Sequence, residues 1–428
     1  MGLKRYKLGD LIEVTRGQSL AGEFYAEEGK YIRLTLGNFD YANGGFKPNT
    51  SKTNLYYTGP IKEQFILEEG DIITPLTEQT PGLLGSTARI PISGTYIQSQ
   101  DVALVRCKDG MIDPAFCYYL LPSSSVKKQL AAGAQQTKIR HTSPDKIKDV
   151  VVDIPDISEQ RRIGQLLDAI THKIELNRSI NQNLEALAKQ LYDYWFVQFD
   201  FPDENGRPYK SSGGIMVWNE KLKREIPSSW SVKTIDDIAE VYNGATPSTA
   251  DEENYGGDVV WITPKDLSNQ QQKFIYQGDR NISRKGYESC STHLLPSNTV
   301  LMSSRAPIGL LAIAKTELCT NQGFKSFVPK NDNEATYLYY YLQAHLKQIE
   351  QLGTGTTFKE VSREDVLKFQ ILKPNDGLLD IWEERISSIN DKQLEIQKEN
   401  EDLTKQRDEL LPLLMNGQVS LNSDLSND

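Results

Sequence analysis

The sequence predicts an α+β protein with two similar domains separated by two long helices, which should pair as an antiparallel coiled coil with pseudo-two-fold symmetry. Three observations support this prediction. Residues 6–17 return as residues 233–244, and Phe116–Leu120 returns as Leu338–Leu342. Each half then ends in a long helix-patterned segment, around residues 157–199 and 378–416. The offset between the copies stays between about 219 and 230 residues along the chain.

The two domains are predicted over residues 1–156 and 229–376, and each mixes short β-patterned runs with a helical segment. The β-patterned runs include Asp71–Ile73, Val102–Val105 and Thr299–Met302. The helical segments lie around residues 114–132 and 335–352. We therefore expect both domains to be α+β, and a chain of 428 residues has room for two proper cores.

The long helices are predicted over residues 157–199 and 377–417. Asp156 and Glu159 have capping-box spacing at the first helix start, and Asn416-Gly417 is typical of a left-handed C-cap. Residues 200–228 are predicted as a polar linker and residues 418–428 as a polar tail. Both helices have a heptad pattern. In the first helix the a positions are Ile163, Ile170, Asn177, Leu184 and Leu191, and the d positions are Leu166, Lys173, Ile180, Leu187 and Tyr194. In the second helix the a positions are Ile386, Gln393, Asn400, Arg407 and Leu414, and the d positions are Trp382, Ile389, Ile396, Leu403 and Leu410.

Asn177 and Asn400 occupy matching a positions near the middle of the two helices. In an antiparallel pair they would meet, and a buried asparagine fixes register at a cost in stability. The alternative is that both lie on solvated helix faces. Each helix would be about 60 Å long at 1.5 Å per residue, roughly one and a half turns of DNA or a little more. Two similar domains on such a spacer suit a ligand with a two-fold backbone, and duplex DNA is the obvious candidate.

Composition excludes several classes of protein. No apolar run approaches the length of a membrane span, and the N-terminus has no signal-peptide pattern. The 4 cysteines lack CxxC spacing and the 4 histidines are scattered, so we expect reduced thiols, a cytoplasmic protein and no metal site. Residues 377–428 hold 5 basic and 12 acidic side chains, so −7 of the net charge of −10 lies there. The near-neutral domains can still present a basic face.

Motifs of catalysis are missing from the sequence. An adenine methyltransferase would carry [DN]PP[YF], yet there is no Pro-Pro dipeptide, and Asp113–Phe116 is best interpreted as a helix start. No GxxxxGK[ST] loop is present to hold a nucleotide. Asp156 and Glu159 superficially match a nuclease pattern, but their spacing is too short and they lie in a helix cap. We therefore expect a chain that catalyses nothing itself and needs no cofactor.

Five segments carry a resemblance to a known family. They are Glu159–Ile163, Lys173–Asn177, Leu191–Asp200, Ser303–Gly309 and Thr320–Lys325. These residues resemble the specificity subunit of type I restriction–modification enzymes, and the resemblance covers essentially the whole chain.

The resemblance implies two target-recognition domains, each reading half of a bipartite asymmetric DNA site. It also implies helices that bind two methyltransferase subunits, with motor-nuclease subunits joining for cleavage. Thr74–Gly82 departs from Ser303–Gly309, as expected if the two domains read different half-sites.

Base recognition needs bidentate donors and acceptors, chiefly Arg, Lys, Asn and Gln, and phosphate contacts add Ser and Thr. Loops of both domains carry such residues. The candidates in the first domain are Arg16, Gln18, Ser19, Arg33, Asn38, Lys47, Lys52, Gln98, Gln100, Gln136 and Lys138. The candidates in the second domain are Asn243, Thr246, Lys265, Ser303, Ser304, Arg305, Asn321, Gln322, Thr356, Thr357 and Lys359.

Any one of these clusters, taken alone, is more often a solvated loop than a contact. Recurrence favours contact, because Gln100 matches Gln322 and a glycine-rich polar loop follows the tyrosine-rich helix in both halves. Arg305 is the residue that we single out for DNA contact, with a buried structural arginine as the alternative.

Tyr192, Trp195 and Phe196 form an aromatic cluster with two interpretations, contact with a partner subunit or docking of the helix onto its own domains. Two other functions also compete with DNA recognition. A fused methyltransferase would require several hundred more residues with the missing motifs. A coiled-coil scaffold would bind proteins without touching DNA, so its assembly would show no salt-sensitive, sequence-selective DNA affinity.

Overall fold

The computed structural model describes residues 2–41, 44–78, 82–133, 140–270, 272–354 and 359–421. The chain divides into two compact units. The first unit comprises residues 1–176 and 400–428, and the second unit comprises residues 177–399. Among the described residues, no helix combines the length and apolar composition needed to cross a membrane.

The first unit contains short strands and helices, followed by the beginning of a long helix. Its strands are β1 (Lys4–Lys7), β2 (Ile12–Arg16), β3 (Tyr25–Ala26), β4 (Tyr31–Arg33), β5 (Tyr56–Tyr57), β6 (Ile72–Pro75), β7 (Thr77–Glu78), β8 (Ala88–Arg89), β9 (Tyr96–Ile97), β10 (Val102–Cys107), β11 (Arg140–His141) and β12 (Val151–Ile154). Its helices are α1 (Leu8–Leu11), α2 (Pro114–Leu120), α3 (Ser124–Gly133), α4 (Pro144–Lys148) and α5 (Ile157–Tyr192), the last of which continues into the second unit.

The second unit has a similar order of elements, with an additional hairpin at its start and additional short helices. Its strands are β13 (Met216–Asn219), β14 (Arg224–Pro227), β15 (Ser231–Thr234), β16 (Ala239–Asn243), β17 (Tyr255–Val259), β18 (Trp261–Ile262), β19 (Phe274–Ile275), β20 (Val300–Ser303), β21 (Leu311–Ala314), β22 (Cys319–Thr320), β23 (Phe324–Pro329) and β24 (Gln370–Lys373). Its helices are α6 (Ile235–Ile238), α7 (Pro264–Gln270), α8 (Arg284–Glu288), α9 (Ala335–Ala344), α10 (Leu346–Leu352), α11 (Arg363–Lys368) and α12 (Asp376–Met415), the last of which ends in the first unit.

The central sheet of the first unit has the strand order β2-β10-β6-β8, with antiparallel neighbours. Its middle strand β10 alternates between two cores because successive side chains of a strand point to opposite faces. Ala103 and Val105 join the core that also holds helix α2, whereas Val102 and Leu104 join a second core on the other face. The run Val102–Val105 is therefore fully buried, as its apolar sequence predicts.

The second unit has the matching sheet, in the order β16-β23-β20-β21-β19. Val300 and Met302 face the core that holds helix α9, and Leu301 faces the core on the other side. Both units also contain an antiparallel pair next to this sheet (β1·β12 and β15·β24) and a parallel pair (β4·β9 and β18·β22). The predicted α+β fold class with a duplicated domain is confirmed.

The long helices run antiparallel within each unit, since opposite ends of α5 and α12 share a core. In the first unit, Ile163 near the start of α5 packs in the same core as Leu414 near the end of α12. In the second unit, Tyr192 at the end of α5 lies against Trp382 near the start of α12, with ring centroids 6.1 Å apart.

The predicted heptad holds for α12 but fails in part for α5. On α5 the a positions are buried or half-buried, whereas Lys173, Ile180, Leu187 and Tyr194 at d are exposed. The residues one step further, Leu167, Ile174, Ala188 and Trp195, are the buried ones. A helix that packs on a domain as well as on a partner helix buries a stripe wider than the a/d seam, and apolar spacing alone does not decide whether d or e lies inside it.

Each central asparagine bonds to the facing helix within its own unit. Asn177 is buried and donates to Glu399 Oε2 at 2.7 Å in the second unit. Asn400 is half-buried and donates to the backbone oxygen of Ile174 at 3.5 Å in the first unit. The interpretation of two solvated asparagines is wrong for Asn177, and its partner there is a carboxylate.

The segment predicted as a polar linker contains ordered structure. β13 and β14, which both lie within residues 200–228, form an antiparallel hairpin. Just before this segment, the predicted long helix ends in a π-helical turn over Asp193–Val197. Phe201 and Ile226 from this segment are buried in the core of the second unit. The apolar residues that make these contacts are interspersed with glycines and charged residues, so the sequence of this segment shows no periodic apolar pattern.

Candidate nucleic-acid interface

In the first unit the end of β2 crosses the segment Gln98–Gln100. Gln18 forms a parallel bridge with Ser99 there. The crossing requires a glycine, because a Cβ added to Gly17 would lie 2.3 Å from the Ser99 carbonyl oxygen. The close approach aligns the exposed residues that follow β2 with those that follow β9.

This crossing brings four predicted residues to one surface. Arg16 is exposed, and its Nε donates to the carbonyl oxygen of Gln100 at 2.7 Å. Gln18 is half-buried and donates through Nε2 to the Pro60 carbonyl oxygen at 3.2 Å. Gln100 and Ser19 are exposed beside them. The guanidinium of Arg16 is thus held at Nε, and its two terminal nitrogens make no hydrogen bond to a described residue.

Two of the lysines predicted in the first unit, Lys47 and Lys52, lie at the surface, and Lys52 lines a cleft together with Gln100. Lys47 and Lys52 are both exposed. The cleft has a volume of about 360 Å³ and is also lined by Arg33 and Asp101. The exposed ammonium group of Lys52 at such a cleft suits an anionic ligand such as a phosphate.

Three predicted contacts in the first unit are wrong because their side chains are buried and bonded to backbone. Gln98 is 1% exposed and donates to the carbonyl oxygens of Thr15 and Val102 at 2.8 and 3.0 Å, so it braces the crossing from below. Arg33 donates to the Asn54 carbonyl oxygen and stacks on the Tyr25 ring. Asn38 accepts from the Thr35 amide at 2.9 Å and caps a short 3₁₀ turn.

The second unit repeats the crossing at the end of β16. A Cβ added to Gly244 would lie 2.1 Å from the Asn321 carbonyl oxygen, and the Ala245 amide donates to the Thr320 carbonyl oxygen at 3.0 Å. Asn243 is exposed at the strand end. Thr246 donates its hydroxyl hydrogen to the Gln322 side chain.

Ser303 and Ser304 are fully buried, which contradicts their predicted contact with DNA. The Ser303 hydroxyl donates to the Pro307 carbonyl oxygen at 2.6 Å and accepts from the Leu310 amide at 2.9 Å, so it braces the loop between β20 and β21. The Ser304 amide donates to the Gly323 carbonyl oxygen at 2.7 Å. These bonds place the next residue, Arg305, at the surface.

Arg305 has a side chain that is 48% exposed, so the alternative of a buried structural arginine is wrong. Its Nε donates to Glu360 Oε2 at 3.0 Å. The other oxygen of Glu360 lies 3.2 Å from Lys325 Nζ. Sequence reasoning missed both Glu360 and Lys325, although Glu360 directly follows the polar loop that was singled out.

The remaining predictions divide into surface residues of the second unit and residues of both units that lie outside the described ranges. Lys265 is exposed and donates to Asp279 Oδ2 at 3.3 Å, and Lys359 is exposed. Asn321 is half-buried and accepts from the Gly323 amide at 2.9 Å. The predicted contacts Gln136, Lys138, Thr356 and Thr357 lie outside the described residues.

The two surfaces rest on the same backbone frame. In the first unit the Leu76 amide donates to the Asp101 carbonyl oxygen and the Leu76 carbonyl oxygen accepts from Thr142, each at 2.9 Å. In the second unit Ser304 makes the equivalent pair of bonds, to the Gly323 oxygen and from the Val361 amide. Residues at equivalent positions of this backbone frame can therefore be compared between the two units, even where their side chains differ.

An acidic residue of the first unit also lies at this frame and was not predicted. Glu78 is 1% exposed and accepts from the Leu83 and Leu84 amides at 2.7 and 3.0 Å. Arg140 on the paired strand lies 3.7 Å away. Partial burial, with a smaller effect from the Glu78 charge, raises the pKa of Tyr41 to about 12.

The aromatic cluster at the end of α5 belongs to the core of the second unit. Tyr192, Trp195 and Phe196 are each at most 6% exposed. They pack on Trp382 and Tyr337. The predicted contact with a partner subunit is therefore wrong for these residues, because they dock the helix onto its own domain.

A buried polar network lies next to this cluster. Lys273 is 8% exposed, and its Nζ donates to Tyr340 Oη and Asn390 Oδ1, both at 2.7 Å. Glu185 of α5 lies 3.5 Å away. Burial lowers the pKa of Lys273 to about 8, against the opposing effect of the Glu185 charge. The network ties strand β19 to both long helices in the second unit.

No group of three histidine, cysteine, aspartate or glutamate side chains within the described ranges is arranged to hold a metal ion. The chemistry that the two surfaces offer is hydrogen bonding by guanidinium, amide and ammonium groups. Arg is suited to bidentate bonding with guanine, and Asn or Gln with adenine.

Comparisons with known proteins point to one family. Residues 2–186 and 227–397 match the family described as the type I restriction modification DNA specificity domain. The chain is 42% identical over 164 residues to the type I restriction enzyme MjaIX specificity subunit of Methanocaldococcus jannaschii, covering 37% of this chain and 38% of that relative, which is less than two thirds of its length. It is 26% identical over 377 residues to the type I restriction enzyme HindI specificity subunit of Haemophilus influenzae, covering 76% and 81%.

A solved structure shows the same fold. The crystal structure of a type I restriction–modification system S subunit from M. genitalium superimposes with a TM-score of 0.63 at 16% identity, covering 97% of this chain and 96% of that one. The resemblance first seen in five sequence segments is confirmed. The chain therefore belongs to the family of type I restriction–modification DNA specificity subunits.

Proposed function

We propose that this chain is the non-catalytic DNA-recognition subunit of a type I restriction–modification complex. Each α+β unit reads one half of a bipartite DNA site. The observation that carries the proposal is the glycine-dependent crossing that occurs once in each unit. In the first unit it gathers the exposed side chains of Arg16 and Gln100, and in the second it gathers those of Asn243 and Gln322.

The two half-sites differ in sequence, so the whole site is asymmetric. Where β2 ends in Arg16, β16 ends in Asn243. Where the frame of the first unit continues from Leu76 to Thr77, that of the second continues from Ser304 to Arg305. The two units thus place their arginines at different positions of the same frame, Arg16 at the end of β2 and Arg305 just after β20. Because arginine favours guanine and asparagine favours adenine, equivalent positions read different bases.

The long helices dock the methyltransferase subunits and set the spacing of the half-sites. In the second unit, α5 and the π-helical turn that follows it carry an apolar stripe of Ile180, Leu187 and Tyr194, which are 37%, 52% and 38% exposed. Their seven-residue spacing places them on one helix face. An exposed apolar stripe of this kind is typical of an interaction site. With motor-nuclease subunits bound as well, the chain gives one specificity to adenine methylation and to ATP-dependent cleavage.

The docking proposal is tested by Leu187→Glu, which places a charge at the centre of the stripe. We expect co-purification of the methyltransferase subunit to fall at least tenfold. Gln182→Glu is the matched control, since Gln182 is exposed on another face of α5. Equal association of both variants with the methyltransferase would contradict docking on this stripe.

The DNA-recognition proposal is tested by the salt dependence of binding. The complex with methyltransferase subunits should bind its site with an affinity that falls steeply between 50 and 200 mM salt, because each neutralised phosphate releases counterions. It should also prefer the specific site over random DNA by about 10³-fold or more. Affinity without salt dependence or sequence preference would favour the scaffold function instead.

A further inference from the structure

Three charged side chains form a chain from the interior of the second unit to its surface. Lys325 is only 4% exposed and lies in β23, between its ladder partners Asn243 and Met302. Its Nζ lies 3.2 Å from Glu360 Oε1, and Glu360 Oε2 accepts from Arg305 Nε at 3.0 Å. Lys325 is held by two neighbouring strands, so it gives the Glu360 carboxylate a fixed partner.

The backbone of Glu360 is fixed independently of its side chain. Its amide donates to the Thr354 carbonyl oxygen at 3.0 Å, and the Thr354 amide donates back to the Glu360 carbonyl oxygen at 3.1 Å. Arg305 and Glu360 also form an antiparallel bridge. The carboxylate therefore stands at a defined place when it takes the Nε of Arg305.

This contact uses the Nε–H group of the guanidinium. The two terminal nitrogens, which form the fork of the guanidinium, stay available for a ligand. The Nη1 and Nη2 atoms of Arg305 have no hydrogen-bond partner among the described residues. Two parallel N–H groups held in one orientation match the O6 and N7 acceptors of guanine. A carboxylate near DNA repels phosphate unless it is compensated. Lys325 and Arg305 compensate Glu360 here, so the three groups together carry one positive charge.

The first unit holds its arginine in the same manner with a different acceptor. Arg16 gives its Nε to the Gln100 carbonyl oxygen at 2.7 Å, and its fork likewise has no partner among the described residues. An arginine held at Nε therefore appears at both surfaces. In the second unit the acceptor is the side chain of Glu360, so the contribution of the acceptor can be tested by substitution.

We propose that Glu360 and Lys325 are positioning residues that hold Arg305 for recognition of a guanine in the half-site read by the second unit. The inference rests on the function proposed above and names the base and the residues of that site. Glu360 and Lys325 do not touch the base, and they act by restricting the orientation of the Arg305 guanidinium.

The test starts from the motif that the wild-type chain directs its methyltransferase to modify. Each G·C pair in the half-site of the second unit is replaced by A·T, and binding of the complex is measured by competition. Arg305→Ala should reduce discrimination at one of these pairs by about 5- to 150-fold, the range for a bidentate contact. Glu360→Gln should reduce discrimination at the same pair by about 5-fold, the upper range for a partly exposed ion pair.

The combination of variants separates positioning from a general structural role. In the Arg305→Ala background, Glu360→Gln should have no further effect on discrimination. Binding to random DNA should stay unchanged or rise, because a negative charge is lost. Lys325→Met should reproduce the effect of Glu360→Gln at the same base pair. Arg284→Ala and Glu288→Gln are matched controls, because this pair has the same Nε–carboxylate contact at 2.7 Å outside the proposed interface.

Two results would overturn the inference. One is full discrimination in Glu360→Gln, and the other is an equal loss in the presence and absence of Arg305. A wild-type chain that directs methylation to no bipartite motif would instead overturn the proposed function, and the inference with it. The wild-type motif therefore distinguishes the two failures.

Discussion

The buried amine of Lys273 predicts a stability of the second unit that depends on pH in the alkaline range. The side chain is 4% exposed and lies among Tyr340, Asn390, Gln393 and Glu185. Desolvation lowers its pKa to about 8, from an ordinary value of 10.5, even though Glu185 favours the charged form. The folded second unit therefore holds this proton less tightly than the unfolded chain does.

The sign and size of the effect follow from this difference. Below pH 8 the amine is charged in both states, so the full cost of burying its charge is present. Between pH 8 and 10.5 the unfolded chain binds more protons than the folded one, so the free energy of unfolding rises with pH. The gap between 10.5 and about 8 corresponds to about 3 kcal/mol, at about 1.36 kcal/mol per pH unit.

Tryptophan fluorescence measures this effect in the second unit alone. All 5 tryptophans lie between residues 195 and 382, inside the range of the second unit. Urea unfolding at pH 7.5 and pH 10 should show a gain in wild-type stability that exceeds the gain in Lys273→Met by about 2–3 kcal/mol. Lys265→Met, at an exposed lysine, is the control and should match wild type. The reasoning is refuted if Lys273→Met keeps the wild-type pH dependence.

Three further predictions follow from the interface and the helices. Gly244→Ala places a Cβ 2.1 Å from the Asn321 carbonyl oxygen, so it should lower the thermal midpoint seen by fluorescence and abolish recognition of the second half-site only. Arg16→Ala should weaken competition binding by about 1–3 kcal/mol through the first half-site, with the second unaffected. One heptad inserted into both long helices adds about 10 Å and should lengthen the gap in the methylated motif by about three base pairs. An unchanged gap would contradict the role of the helices as a spacer.

The fold class and the duplication could be predicted from the sequence because they depend on repeated apolar patterns. The run Val102–Val105 and its counterpart Thr299–Met302 are buried strands in both units. The duplication then required two similar domains, and the structure has them. Periodicity was less informative on α5, where the domain surface, which is distant in sequence, decides that Trp195 rather than Tyr194 faces inward.

The candidate site was predicted by residue type, and residue type does not determine orientation. Gln98 and Gln100 are two residues apart, yet the first bonds to backbone inside the unit and the second is exposed. Likewise, Ser303 bonds to backbone inside the unit, whereas the side chain of Arg305 is exposed. Glu360 was missed because an acidic residue is not expected in a DNA interface, and its partners Arg305 and Lys325 lie 55 and 35 residues away.

The most direct test of two-part recognition is methylation mapping of genomic DNA from cells that express this chain with its methyltransferase subunit. Two-part recognition predicts a methylated motif with two different specified halves and an unspecified gap, which disappears when this chain is omitted. It also predicts that Arg16→Ala relaxes only one half and Arg305→Ala only the other. Methylation that is unchanged by the chain, while the two proteins are shown to associate, would contradict two-part recognition and favour a scaffold.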